Sequence, residues 1–147
     1  MEFDIAVKLQ IYRTISETAN APDVAEVAEA LAYPVSEVES AFQRLAEKRL
    51  LVLDENDPST IIMAPPFSGV ETPFRAKINE KSYFANCIWD ALGVSAALHK
   101  DALVQTICGD CNEPMALQIR DGKPLAQECA VHFAVPAAHW WDDIVYT

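Results

Sequence analysis

Two adjacent prolines divide this chain. In Ala64-Pro65-Pro66-Phe67-Ser68-Gly69 both prolines lack a backbone N–H and hold φ near one value. Neither a helix interior nor a central strand runs through such a stretch. It is a connector and marks the best domain boundary in the sequence. The hydrophobic pattern differs on its two sides, so the chain is read as two units, residues 1–65 and 66–147.

Residues 1–65 are expected to form three helices and a hairpin. Ile5, Leu9, Ile11, Tyr12 and Ile15 recur at near-helical spacing. Pro22-Asp23 starts a second helix with Val24, Val27, Ala28 and Leu31 inward, and Pro34 interrupts it. The third helix carries Val38, Phe42, Leu45 and Leu50 as its apolar stripe; Ser36 with Glu39 has capping-box spacing, and Val35 is an alternative start. Leu51-Val52-Leu53 and Ile61-Ile62-Met63 read as short strands around Glu55-Asn56-Asp57-Pro58. This is the winged helix-turn-helix order.

Past the connector, Phe74–Ile78 reads as a strand, Ser82–Leu98 as a helix, and Leu103–Ile107 and Met115–Arg120 as strands. Asp121-Gly122 signals a turn. Cys129–Val135 is expected as a further apolar strand closed by Pro136, and Ala137–Val145 as a short helix carrying Trp140 and Trp141. The fold class is therefore α+β: a winged-helix-like three-helix unit, then a small, mostly antiparallel sheet with a cysteine-bearing helix.

Charge and composition narrow the partners. With 51% hydrophobic residues the chain can build a core. Its formal net charge of −11 repels phosphate backbones and anionic membranes. The third helix opens on Glu37 and Glu39 and gathers Arg44, Lys48 and Arg49 at its end. Base contacts usually come from the opposite, N-terminal end, so nucleic acid is not the expected partner and the unit reads as a structural or lid domain. No apolar run nears the ~20 residues that span a bilayer. Met1-Glu2-Phe3-Asp4 has no signal-peptide character. A cytoplasmic protein is expected, with its four cysteines as thiols or metal ligands.

The chemistry concentrates in Tyr83-Phe84-Ala85-Asn86-Cys87-Ile88-Trp89-Asp90-Ala91-Leu92-Gly93. On a helix, Cys87 and Asp90 share a face, with Cβ atoms about 5–6 Å apart. That sets a soft metal ligand beside a proton donor or acceptor; the bland alternatives are a small buried hydrophobe and a solvated carboxylate. A second cluster is Cys108-Gly109-Asp110-Cys111, a C-x-x-C knuckle in which Gly109 permits the turn. With Cys129 and His132 it reads C-x2-C-x17-C-x2-H, near a zinc-site spacing. Residues i and i+3 of a strand face opposite ways, however, which weakens Cys129 and His132 as co-ligands. His99 suits a helix C-terminus, His139 a surface position, and the tryptophan pair a core.

With Cys87-Ile88-Trp89-Asp90 in place, the second half resembles the alkylmercury lyase family. The likeness starts near Thr72-Pro73-Phe74-Arg75, passes through Tyr83–Asp90 and Cys108, and reaches Val131-His132-Phe133-Ala134-Val135-Pro136 and Trp140-Trp141-Asp142-Asp143-Ile144. The family also carries an N-terminal winged-helix-like domain. The resemblance implies protonolysis of carbon–mercury bonds in mercury resistance, giving a hydrocarbon and Hg(II), with organomercurials and cytosolic thiols as small-molecule partners and no organic cofactor. It implies that Cys87 captures the mercurial and that Asp90 carries the proton. It also calls for a second cysteine. That residue is expected just beyond Asp143–Thr147, which would leave the domain cut short, or else Cys111 or Cys129 replaces it. Two other readings stand beside this one: a non-catalytic thiol protein holding zinc or a soft metal through Cys108, Cys111 and Cys129, and a metal-responsive winged-helix regulator.

Overall fold

The structure, a computed structural model, describes residues 2–125 and 128–145. The first three elements are α1 (Glu2–Thr18), α2 (Val24–Leu31) and α3 (Val35–Glu47). The buried face of α1 is Asp4, Val7, Ile11 and Ile15. The expected stripe is thus corrected: Ile5 and Leu9 are 53% and 63% exposed, because Asp4, not Ile5, turns inward to meet two cations. Arg44 Nε and Nη2 reach one Asp4 oxygen at 3.0 and 2.7 Å, and Lys48 Nζ reaches the other at 3.1 Å. The Arg44 guanidinium and then the Lys48 ammonium hold the Asp4 carboxyl down to about 2. A carboxylate bound by two donors lies on the core side of α1 without an unmet charge.

The capping box forms on α2, where Asp23 and Glu26 exchange side-chain bonds with each other's backbone N–H. The box expected from Ser36 and Glu39 does not form. Pro34 is the N-cap of α3 and gives no side-chain bond, so Ser36 already lies within the helix and bonds through its carbonyl to Ser40.

The connector is not a free linker. Strands β1 (Val52–Leu53), β2 (Ile61–Ala64) and β3 (Phe67–Ser68) form one antiparallel sheet in that order, and the prolines make the tight turn between β2 and β3. Pro65 and Pro66 sit where the ladder needs no N–H. Gly69 follows β3, bonded through its N–H to Ile62 O at 2.8 Å. A Cβ there would stand 1.9 Å from the Ile61 carbonyl oxygen, so only glycine fits.

The second sheet has five antiparallel strands in the order β5-β4-β6-β7-β8: β4 (Arg75–Ile78), β5 (Lys81–Phe84), β6 (Ala102–Ile107), β7 (Pro114–Arg120) and β8 (Lys123–Pro124). Helix α4 (Ile88–Leu98) lies between β5 and β6 and packs on the sheet. The helix expected from Ser82 therefore starts six residues later. Lys81–Phe84 pair along β4, with Tyr83 buried and Ser82 exposed, a period-two pattern that the aromatic residues favour. The strand expected at Cys129–Val135 is also corrected: residues 128–136 are irregular. On that side the sheet ends instead at β8, a two-residue edge strand of Lys123 and Pro124. A 3-10 helix spans Ala137–Asp142.

A single cluster of buried side chains runs from Val7 through Phe42, Phe67 and Tyr83 to Ile119. Helices and antiparallel sheets share it, an α+β architecture. Among the described residues no helix is long and apolar enough to cross a membrane. Gly69→Ala should lower unfolding stability by about 1–3 kcal/mol, the usual cost of forcing extra volume into a packed site. Urea melts of the two proteins measure it, and equal midpoints would show that the Ile61 backbone yields freely.

Candidate functional site

Strand β5 leads into α4 through Ala85-Asn86-Cys87. The backbone is clamped just before the thiol: Ala85 N–H bonds to Phe74 O at 2.9 Å, Ala85 O accepts from Thr72 Oγ1 at 2.7 Å, and Ala85 bridges to Phe67. Cys87 is then extended, with φ −152° and ψ 179°, and serves as the N-cap of α4. Its Sγ accepts the Asp90 N–H at 3.5 Å. Cys87 and Asp90 do meet, but through a capping turn and not by sharing a face within a helix. Ser, Thr, Asn and Asp usually fill this position. Sulfur is a weak acceptor there.

The Asp90 side chain is held from behind. Asn86 Nδ2 donates to Asp90 Oδ2 at 2.8 Å and reaches Phe67 O at 3.3 Å. Asn86 Oδ1 is buried with no hydrogen-bond partner among the described residues. Tyr12 reaches across from α1, its hydroxyl donating to Pro65 O at 2.8 Å. Burial raises the Tyr12 phenol, and the charge of nearby Asp90 raises it further.

Burial decides the protonation of this pair. It pushes the Asp90 carboxyl up, against the Asn86 hydrogen bond that stabilises the anion. It also pushes the Cys87 thiol up; the charge of Asp90 adds to that, while the N–H groups of Asp90 and Trp89 oppose it. Both side chains are half-buried, so neither is sealed from an incoming molecule. The arrangement offers a soft sulfur ligand next to an acid that keeps its proton to higher pH than a solvated carboxyl.

All four cysteines are free thiols. Cys108 and Cys111 occupy the turn between β6 and β7, where Cys108 N–H bonds to Glu113 O at 2.8 Å and Asn112 N–H to Cys108 O at 2.9 Å. Asn112, not Gly109, takes the left-handed conformation, with φ 59°. The Cys111 N–H, the Asp110 N–H and the Cys111 thiol all donate to the Cys108 sulfur and lower its pKa. Cys129 is exposed in the irregular stretch. Among the described residues no three of His, Cys, Asp and Glu come together as a metal site. The spacing of Cys108, Cys111, Cys129 and His132 is thus not matched by convergence in space. His99 caps α4 in the left-handed region, and His139 meets Asp142 at 2.9 Å on the surface.

The irregular stretch still matters to the site. Phe133 packs edge-on to Trp89 at 6.2 Å and lies 5.2 Å from Trp140, whose indole N–H donates to Val135 O at 2.8 Å. Trp141 lies under the Arg49 guanidinium at 5.4 Å. It also helps line a cleft of about 340 Å³ with Gln43, Ala46, Leu51 and Ile144. Residues 128–145 thus touch the start of α4 at one point and the end of α3 at another. The expected position of a second cysteine after Tyr146 and Thr147 lies outside the described residues.

The alkylmercury lyase family model matches residues 67–147, more than half of the chain, Asn86, Cys87 and Asp90 among them. The chain belongs to the alkylmercury lyase family. The fold is similar to that of the mercury-bound form of MerB2, with a TM-score of 0.68 and 21% sequence identity. That match covers 86% of this chain and 60% of the other, so the chain spans less than two thirds of the length of that relative. No curated protein matches the chain.

Two neighbours of Cys87 and Asp90 in this alkylmercury lyase family chain carry no sequence signal of their own. Asn86 stands in the quoted motif but has no pattern that announces a carboxylate partner. Tyr12 reads as one more apolar residue of α1. A raised carboxyl pKa in the folded state favours folding only while the group is protonated, so that contribution fades as pH rises through the folded-state value. Asp90→Asn should therefore melt higher than wild type at pH 7, with the gap closing below about pH 4, the ordinary carboxylate range. Thermal melts across pH measure this; a gap that does not depend on pH would contradict the burial effect. At pH 8 iodoacetamide should label Cys108 before Cys87, and Asp90→Asn should speed the labelling of Cys87. Peptide mass mapping reads both rates.

Proposed function

We propose that this chain cleaves carbon–mercury bonds by protonolysis, giving a hydrocarbon and Hg(II). The supporting observation is the half-buried pair at the start of α4, a thiol and a carboxyl both held toward their protonated forms by burial. Mercury is soft and prefers thiolate sulfur. An organomercurial R–Hg–X exchanges X for Cys87, releasing HX and leaving Cys87–S–Hg–R. The Asp90 carboxyl then gives its proton to the carbon bound to mercury as the electron pair of the C–Hg bond moves onto that carbon. R–H departs, and the Asp90 carboxylate remains beside Cys87–S–Hg⁺. A thiol adds to that mercury and returns a proton to Asp90, and a further thiol displaces Cys87. Substrate and product are the only metal species in the scheme, and low-molecular-weight thiols clear the ion.

Asn86 fixes the direction of the carboxyl through Oδ2, which leaves Oδ1 as the oxygen to carry the proton. Within the chain, Cys129 is one candidate second thiol: it lies four residues before Phe133, whose ring packs on Trp89 in the first turn of α4, and four residues span at most ~14 Å. Cys111 lies in the hairpin turn between β6 and β7.

Phenylmercury with excess thiol tests the reading. Wild type should release benzene in proportion to mercurial consumed. Asp90→Asn should slow release by about 10²–10⁴-fold, the range for loss of a general acid, and Cys87→Ser should fall to the rate of thiol alone. Cys129→Ser should retain C–Hg cleavage but need more external thiol to turn over. Benzene release by Cys87→Ser at the wild-type rate would overturn the assignment.

A further inference from the structure

We propose that Cys108 and Cys111 form a second soft-metal site, one that takes a two-coordinate thiophilic cation such as Hg(II). The two cysteines stand three residues apart on one tight turn between β6 and β7, the C-x-x-C arrangement by which a knuckle presents two sulfurs to one ion. The turn is fixed from both ends by the bonds from Cys108 N–H to Glu113 O and from Asn112 N–H to Cys108 O. Cys108 is half-buried and Cys111 exposed, so the pair is open to an ion. Asp110 and Glu113 add carboxylates to the same turn.

The ligand count chooses the ion. Structural zinc takes four ligands. Among the described residues no third His, Cys, Asp or Glu completes a metal group around the pair. Mercury(II) is satisfied by two thiolates in line. Loading is a ligand exchange with no redox step: Hg(SR)₂ plus the two protein thiols gives Cys108–S–Hg–S–Cys111 and two molecules of RSH. Holding both sulfurs on one turn makes the second bond intramolecular, which favours the pair over free monothiols by about 10²–10⁴-fold.

Strand register places this pair near the site of the Cys87 thiol. Arg75 of β4 is opposite Phe84 on β5 and Gln105 on β6. Those two strands run the same way, and Cys87 and Cys108 each follow three residues later. Both thiols therefore emerge at one end of the sheet, separated by two strand spacings, on the order of 10 Å. A role as acceptor for ion released at Cys87 rests on the proposed lyase reading; the existence of the site does not.

The test uses the full chain with Cys87→Ser and Cys129→Ser, so that turnover plays no part. Mercuric chloride is added in excess monothiol, and bound mercury is counted after desalting. One Hg(II) per chain is expected, with mercury–thiolate absorption in the ultraviolet. Adding Cys111→Ser, an exposed position, should lower retention by at least about 100-fold while circular dichroism stays unchanged. Cys111→Ala should behave alike. Zinc chloride added in place of mercury should wash out. Retention that survives loss of Cys111, no retention in the parent variant, or stoichiometric zinc would each overturn the proposal.

Discussion

The packing of Phe67 against two tyrosines is the contact on which the rest of the structure depends. Its ring is 2% exposed and lies 6.2 Å from Tyr12 of α1 and 5.8 Å from Tyr83 of β5. Tyr83 in turn donates to Ser16 O of α1 at 2.8 Å. Full burial of one such ring contributes about 1.5–3 kcal/mol, against about 1 kcal/mol for a typical hydrogen bond. Apolar packing therefore holds this seam, and the hydrogen bonds orient it. The carbonyl of the same residue receives Asn86. One residue thus joins the first helix, the small sheet and the large sheet through its ring, and the amide that steers Asp90 through its carbonyl.

That seam also sets the electrostatics. Burial beside this seam strips solvent from Asp90 and raises its pKa, and the charge of Asp90 in turn adds to the rise of the Tyr12 phenol. Cys108 shows the opposite case. It sits in a surface turn, where three donors stabilise the thiolate. Two cysteines of one chain are thus drawn to opposite protonation states by burial in one place and by donors in the other.

Much of the helical half was legible because its signals are local. Pro22-Asp23 and Pro34 bound α2, and the stripe Val38, Phe42, Leu45 is the buried face of α3. The misses arise where tertiary contacts decide. The stretch from Ser82 to Leu98 is apolar and has no Gly or Pro before Gly93, so nothing local marks the change from β5 to α4. Pairing with β4 makes it. The double proline reads as a break between units, yet it turns a hairpin whose last strand is wholly buried. Cys129–Val135 has the composition of a strand, but Phe133 packs on Trp89 and the stretch leaves the sheet. Spacing singled out Cys87 and Asp90 but expected a shared helix face, whereas a capping turn joins them; Asn86 and Tyr12 needed the fold, since they reach the backbone carbonyls of Phe67 and Pro65.

The sulfur at the head of α4 has a mechanical consequence. A helix that begins on a serine or aspartate resists losing its cap, because an oxygen acceptor is worth about 1 kcal/mol there. A sulfur acceptor at 3.5 Å holds far less. On the proposed reading, a mercury ion that took the lone pairs of that sulfur would release the Asp90 N–H at little cost to the helix, since the cap it gives up is a weak one.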